Sequence, residues 1–212
     1  LPGSGPNDGG KLVRTWTAQD DCGNAIVHTQ TITINDTQAP VLVGLPPATM
    51  LVQCSEQVPA VPAVTATDNC QGTVDVELVE VEIPGTCPNQ YQITRTWTAV
   101  DFAGNSTIFV QTITVNDTQA PVWTSALPGN LTLQCGEAAP AAATLTASDN
   151  CNAPVDIEFN ETYLPGSGPN DGGKLVRTWT AEDDCGNAIA HTQTITITDT
   201  QAPALQNLPS AA

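Results

Sequence analysis

Oxygen-bearing side chains return at matching places along this chain. Asp36, Asp68, Asn69, Asp101 and Asn105 form one set, and Asp117, Asp149, Asn150, Asp183, Asp184 and Asn187 form a second. Carboxylates, amides and backbone carbonyls are the hard donors that Ca²⁺ takes, about six to eight at a time. The same residues also suit turns, because Asp and Asn hydrogen-bond their own backbone and tolerate left-handed conformations. No EF-hand spacing is present, so calcium binding and plain turn chemistry both stay open. Asp184 stands where the first set has Phe102, which makes the second set the more acidic. An organic cofactor is not expected.

The second group with chemistry is the seven cysteines: Cys22, Cys54, Cys70, Cys87, Cys135, Cys151 and Cys185. No CxxC occurs, and the two histidines, His28 and His191, are one repeated position. Zinc is therefore not expected, and a disulfide framework in an oxidising compartment is. No nucleophile elbow, phosphate-binding glycine loop or His-centred acid/base pair appears, so no enzyme is expected. A formal charge of -17 with only five Lys plus Arg argues against nucleic acid and anionic membranes and favours cations. No run of 18 apolar residues offers a membrane span.

The elements that must position these groups come in repeats. Leu1–Ala18 recurs letter for letter as Leu164–Ala181, and the pentapeptide DTQAP begins at Asp36, Asp117 and Asp199. Two slightly different modules thus alternate: residues 1–35 are the back half of one, 36–116 and 117–198 are complete, and 199–212 open a further one. A half module leaves sheet edges unpaired, so either a longer chain or a neighbouring copy is expected to supply the missing strands. Within 36–116 the pattern predicts strands ending at Cys54 and over 60–66, 74–83, 90–99 and 106–115. Alternation is cleanest in the fourth, where Tyr91, Ile93, Arg95 and Trp97 share the face expected to look inward. Short strands at regular spacing predict an all-β chain of tandem immunoglobulin-like β-sandwich modules arranged end to end.

The motifs DTQAP, TATDNC (Thr65–Cys70), RTWTAVDFAGN (Arg95–Asn105) and the closing QTITVND resemble those of hyalin-repeat (HYR-like) modules over essentially the whole chain. That resemblance implies tandem modules of large secreted or surface proteins of Bacteroidota-type bacteria. It implies a stalk, adhesin or filament segment at the cell surface or outside the cell, without enzymatic activity. Its expected partners are neighbouring modules, copies of the same chain, or glycans and other surface structures. A pilin-like subunit completed by a neighbour's strand and a carbohydrate-binding adhesin module are the alternatives.

If successive strands run antiparallel, the loops holding Asp68–Asn69 and Asp101–Asn105 share the pole where the chain enters the module, together with Asp36. The equivalent pole of the next module gathers the second oxygen set. Cys54 and Cys70 are separated by a whole strand, too far for a bridge at about 3.3 Å per residue. Cys54 with Cys87, which share the exit pole, and Cys151 with Cys185, which share the opposite one, are the expected bridges. Cys22, Cys70 and Cys135 are then candidates for bonds between modules. A rival scheme, Cys54–Cys70 and Cys135–Cys151 within modules with Cys87–Cys185 between them, also satisfies the count.

Trp16, Trp97 and Trp179 each follow Arg-Thr, once per module, and are expected in sandwich cores with Arg14, Arg95 and Arg177 close to the rings. Trp123 has no counterpart, Leu42 standing at the matching place, and is the one aromatic singled out for contact with something outside its own core. The Asp-Thr-Gln linkers place Thr37, Thr118 and Thr200 in a context similar to the bacterial O-glycosylation acceptor motif, with ordinary linker hydrogen bonding as the alternative.

Overall fold

A computed structural model describes residues 10–151, 155–167 and 171–202. Most of the GSGPNDGG loop at 3–10 and the residues after 202 that open a further module lie outside them. The chain divides into two compact units. The first comprises residues 1–52, 57–85 and 90–116; the second comprises 53–56, 86–89 and 117–212.

The first unit begins with a hairpin of β1 (Lys11–Gln19) and β2 (Ala25–Thr33), paired antiparallel with Trp16 opposite His28. Then follow β3 (Val41–Val43), β4 (Thr49–Val52), β5 (Thr65–Asp68), β6 (Gly72–Val74), β7 (Val76–Pro84), β8 (Gln90–Val100) and β9 (Ser106–Asn116). They make a three-stranded sheet ordered β3-β5-β6 and a four-stranded sheet ordered β4-β9-β8-β7. Buried Ala66 and Val74 of the small sheet pack with Ala99 of the large one, flanked by Leu42 and Val76. Two sheets facing over a shared apolar layer are a β-sandwich.

The expected inward face of β8 is the buried one, with Ile93, Arg95, Trp97 and Ala99 alternating with more exposed neighbours. Trp97 is 2% exposed, and so is Trp179 of the second unit, whereas Trp16 is 51% exposed on its hairpin. The Arg95 guanidinium is held by a carboxylate, Nε to Glu80 Oε2 at 2.6 Å, and Glu80 is its cross-strand partner on β7. Arg177 and Glu161 repeat the pair at 2.6 Å in the second unit. A buried cation needs such a partner, because unpaired it bears the whole cost of desolvation.

The second unit repeats this plan: β10 (Val122–Trp123), β11 (Leu131–Gln134), β12 (Ala147–Ser148), β13 (Asp156–Leu164), β14 (Asp171–Glu182) and β15 (Ala188–Thr198). Its sheets are ordered β10-β12 and β11-β15-β14-β13. In both units the first strand of the large sheet runs parallel to the last, β4 beside β9 and β11 beside β15.

Two expectations need correction. The strand expected over 60–66 starts only at Thr65. Pro59 and Pro62 lack the N–H a ladder requires, so that stretch runs without sheet pairing. Trp123 is half-buried, with its indole nitrogen enclosed and without a hydrogen-bond partner.

The second correction concerns the cysteines. Cys54 bonds to Cys151 and Cys87 to Cys185, with Cα–Cα distances of 5.0 and 5.1 Å, in place of Cys54–Cys87 and Cys151–Cys185. The reason is where the loops pack. The 53–56 and 86–89 segments meet, Ser55 N donating to Asn89 Oδ1 at 3.0 Å, and both lie with the second unit, where Cys151 and Cys185 are their partners. The segments 53–56 and 86–89 carry first-module sequence but belong to the second compact unit, where their cysteines are bonded.

Candidate functional site

Each unit gathers acidic and amide side chains from three stretches of sequence. The β8–β9 turn is built by Asp101, whose Oδ1 accepts from Asn105 N at 2.8 Å and whose Oδ2 accepts from Asn105 Nδ2 at 2.8 Å. Asp183 accepts from Asn187 N and Nδ2, both at 2.9 Å, and from Cys185 N at 2.8 Å. Asp20 and Asn24 close the same turn in the hairpin. Gly104 and Gly186 hold φ of 91° and 84° there, a region that side chains with a Cβ disfavour.

The turn also reaches the other stretches. Asn105 Nδ2 donates to Asp36 O at 3.5 Å, and Asn187 Nδ2 to Asp117 O at 3.4 Å. Phe102 N donates to Gln71 Oε1 at 2.8 Å, tying the turn to the loop after β5. The convergence expected from strand parity therefore occurs within each unit, and its chemistry divides in two. Asp101, Asn105, Asp183 and Asn187 are turn builders whose polar atoms satisfy one another.

The second group faces inward across the pole. Asp36, Asp68 and Cys70 each bring one potential ligand atom within 4.8 Å of the others, and Asp117, Asp149 and Cys151 do the same. Asp68 Oδ1 accepts from the backbone N–H of Cys70 and of Gln71, while its Oδ2 is buried with no hydrogen-bond partner. Cys151 spends its sulfur in the disulfide. Asn69 lies exposed beside Cys70, Asn150 beside the Asp149 carboxylate, and Asp184 is exposed outside the group.

Proton affinities follow the same division. Hydrogen bonds from Asn105 and the turn backbone outweigh burial and hold the Asp101 carboxyl below the ordinary carboxylate value. The Asn24 amide does so for Asp20. Burial, reinforced by the charges of Asp117 and Asp183, pushes Asp149 up. Burial, then Asp36 and Asp68, pushes the Cys70 thiol up. Like charges face each other in the second group, and that is the condition a cation relieves.

A linker clamp is present that the sequence reading missed. Gln53 Oε1 accepts from Thr118 N at 3.0 Å and from Thr118 Oγ1 at 3.3 Å. Gln134 Oε1 accepts from Thr200 N at 3.2 Å and from Thr200 Oγ1 at 3.1 Å. Thr37, Thr118 and Thr200 are all exposed. The signal was there in the Gln-Cys pair at 53–54 and again at 134–135.

The family described as HYR-like domain with 4 cysteines matches residues 44–115 and again 123–197. The chain belongs to that family. Its two HYR-like copies hold three cysteines each, Cys54, Cys70 and Cys87 in the first and Cys135, Cys151 and Cys185 in the second. No curated protein matches the HYR-like chain. Among solved structures it is similar to mouse clustered PcdhgC3 EC1-3, at 14% identity over 91% of this chain and 77% of that one, with a TM-score of 0.34. It is similar to the Protocadherin GammaB4 extracellular domain at 14% identity, covering 92% of this chain and 41% of that one, with a TM-score of 0.35. Human Mucin-like Protocadherin EC1-2 is 13% identical, over 78% of this chain and 100% of that one, with a TM-score of 0.30. Scores this low decide neither fold nor function.

Proposed function

We propose that this chain is a structural segment of an extracellular array: sandwich modules joined in series, with no catalytic role, whose product is length and mechanical continuity. The observation that carries the reading is that both disulfides join a cysteine of one sequence repeat to a cysteine of the next. Such bonds also call for an oxidising compartment, which favours a site outside the cell or on its surface. The test is to stretch the protein from its ends with and without reductant. Oxidised protein should extend less, because the chain between Cys54 and Cys151 is withheld from extension. Equal extension in both states would remove the reading.

Ca²⁺ bracing belongs to this proposal in a narrower form than the sequence suggests. It falls on the carboxylate pairs Asp36–Asp68 and Asp117–Asp149, because Asp101 and Asp183 are engaged by their own turns. Two carboxylates supply only part of the six to eight oxygens that Ca²⁺ takes, so backbone carbonyls and water would complete the shell. Added Ca²⁺ should raise the melting temperature of the protein, and Asp68→Asn combined with Asp149→Asn should abolish that rise. Glycan attachment at Thr37, Thr118 and Thr200 is a second finer proposal, favoured by their exposure. Hexose mass on linker peptides is the measurement that checks it.

A further inference from the structure

We infer that Cys135, Cys70 and Cys22 each bond to a cysteine of an adjacent HYR-like module, so that successive module boundaries carry two bridges and one bridge in alternation. The inference rests on the array reading above and adds a pairing rule to it. The two observed disulfides define that rule. The cysteine after the first strand of the large sheet bonds to the cysteine of the Asp-Asn-Cys loop one module on, as Cys54 does to Cys151. The cysteine of the Pro-Gly-Thr-Cys loop bonds to the cysteine of the Asp-Asp-Cys-Gly-Asn turn one module on, as Cys87 does to Cys185.

The three remaining cysteines sit in the same fixtures. Cys135 follows β11 as Cys54 follows β4, beside a Gln that holds the linker threonine in both cases. Cys70 N donates to Asp68 Oδ1 at 2.8 Å, as Cys151 N donates to Asp149 Oδ2 at 2.8 Å. Cys22 N donates to Asp20 Oδ1 at 2.9 Å, as Cys185 N donates to Asp183 Oδ1 at 2.8 Å. Cys22 and Cys135 are exposed, as thiols awaiting a partner must be.

What is missing argues as strongly as what is present. The first complete module has Ala103 where the second has Cys185, and the second has Gly168 where the first has Cys87. Those two absences are the two halves of one bridge, the second bridge at a boundary running from the second module type to the first. Losing either alone would leave a thiol without a mate, and both are gone. Cys135 therefore pairs with the Asp-Asn-Cys cysteine of a following module, and Cys70 with the Gln-Cys cysteine of a preceding one. Cys22 pairs with the Pro-Gly-Thr-Cys cysteine of a preceding module. In each case two thiols form one S–S bond and give up two protons and two electrons to a disulfide oxidant, which is reduced to two thiols.

The test is peptide mapping of the native protein, alkylated without reduction and cleaved at acidic residues. The expected result is Cys135 linked to an Asp-Asn-Cys peptide and Cys22 linked to a Gly-Thr-Cys peptide, with neither alkylated. Alkylated Cys135, or Cys135 joined to Cys22 or Cys87, overturns the pairing rule while leaving the array intact. Mass after reduction tests the array separately. A chain well above 22.0 kDa means the partner module lies in the same chain. A chain of that mass whose multimers dissolve in reductant, with Cys135 of one copy linked to Cys70 of another, removes the covalent array and the Cys22 part of the rule, because Cys87 is then the one Pro-Gly-Thr-Cys cysteine and is bonded to Cys185.

Discussion

Carboxylates at these poles meet two fates, and pH separates them. Asp101 and Asp20 have lowered proton affinity in the folded chain, so each adds stability that is present above the ordinary carboxylate pKa and is lost as pH falls through its lower folded value. Asp149 is raised, so the folded state keeps its proton longer than the unfolded one. Its contribution therefore turns unfavourable as pH climbs from 3.8 through the higher folded value. Asp149→Asn should melt higher than the parent at pH 7 and together with it below pH 3, in thermal scans without Ca²⁺. An unchanged pH 7 melting temperature would mean that burial and the neighbouring charges of Asp117 and Asp183 do not disfavour the Asp149 carboxylate there. At Gly186, where φ is 84°, replacement by Ala should cost about 1 kcal/mol or more, read by urea denaturation. The turn itself was visible in the sequence, because Asp183 and Asn187 of Asp-x-x-Gly-Asn meet through contacts four residues apart.

At the scale of elements, β8 and β9 were legible, since a period of two with Trp97 and Ile93 on one side is a property of the strand alone. The short β3 and the late start of β5 were not. Three residues carry too little periodicity to stand out, and the prolines ahead of Thr65 cut short an apolar run that otherwise reads as strand. The linker clamp was also missed, because Gln53 and Thr118 meet only after β4 has paired in parallel with β9. Gln53→Ala should therefore speed amide hydrogen exchange at Thr118 and cost about 1 kcal/mol, while exchange at Thr200, which has Gln134, stays as it was. Equal exchange at Thr118 in both proteins would show the clamp to be idle.

For the whole molecule the disulfides dominate. Cys54–Cys151 and Cys87–Cys185 close loops with sequence separations of 97 and 98 residues, for which chain entropy alone suggests about 4.7 kcal/mol for one such bridge. The loops overlap, so the second adds less than the first. Replacing Cys87 and Cys185 by Ser should lower the denaturation midpoint of the second unit, and reduction of the parent should lower it further. The repeat, the β class, the buried tryptophan face and the oxygen-rich poles were determined by sequence alone, because each follows from local spacing or from identity between repeats. Tertiary structure decided which cysteines bond: Cys87–Cys185 belongs to the rival scheme the sequence left open, and Cys54–Cys151 belongs to neither. Each bridge joins segments 97 or 98 residues apart, and which segments meet is set by packing between distant elements rather than by any pattern within one of them.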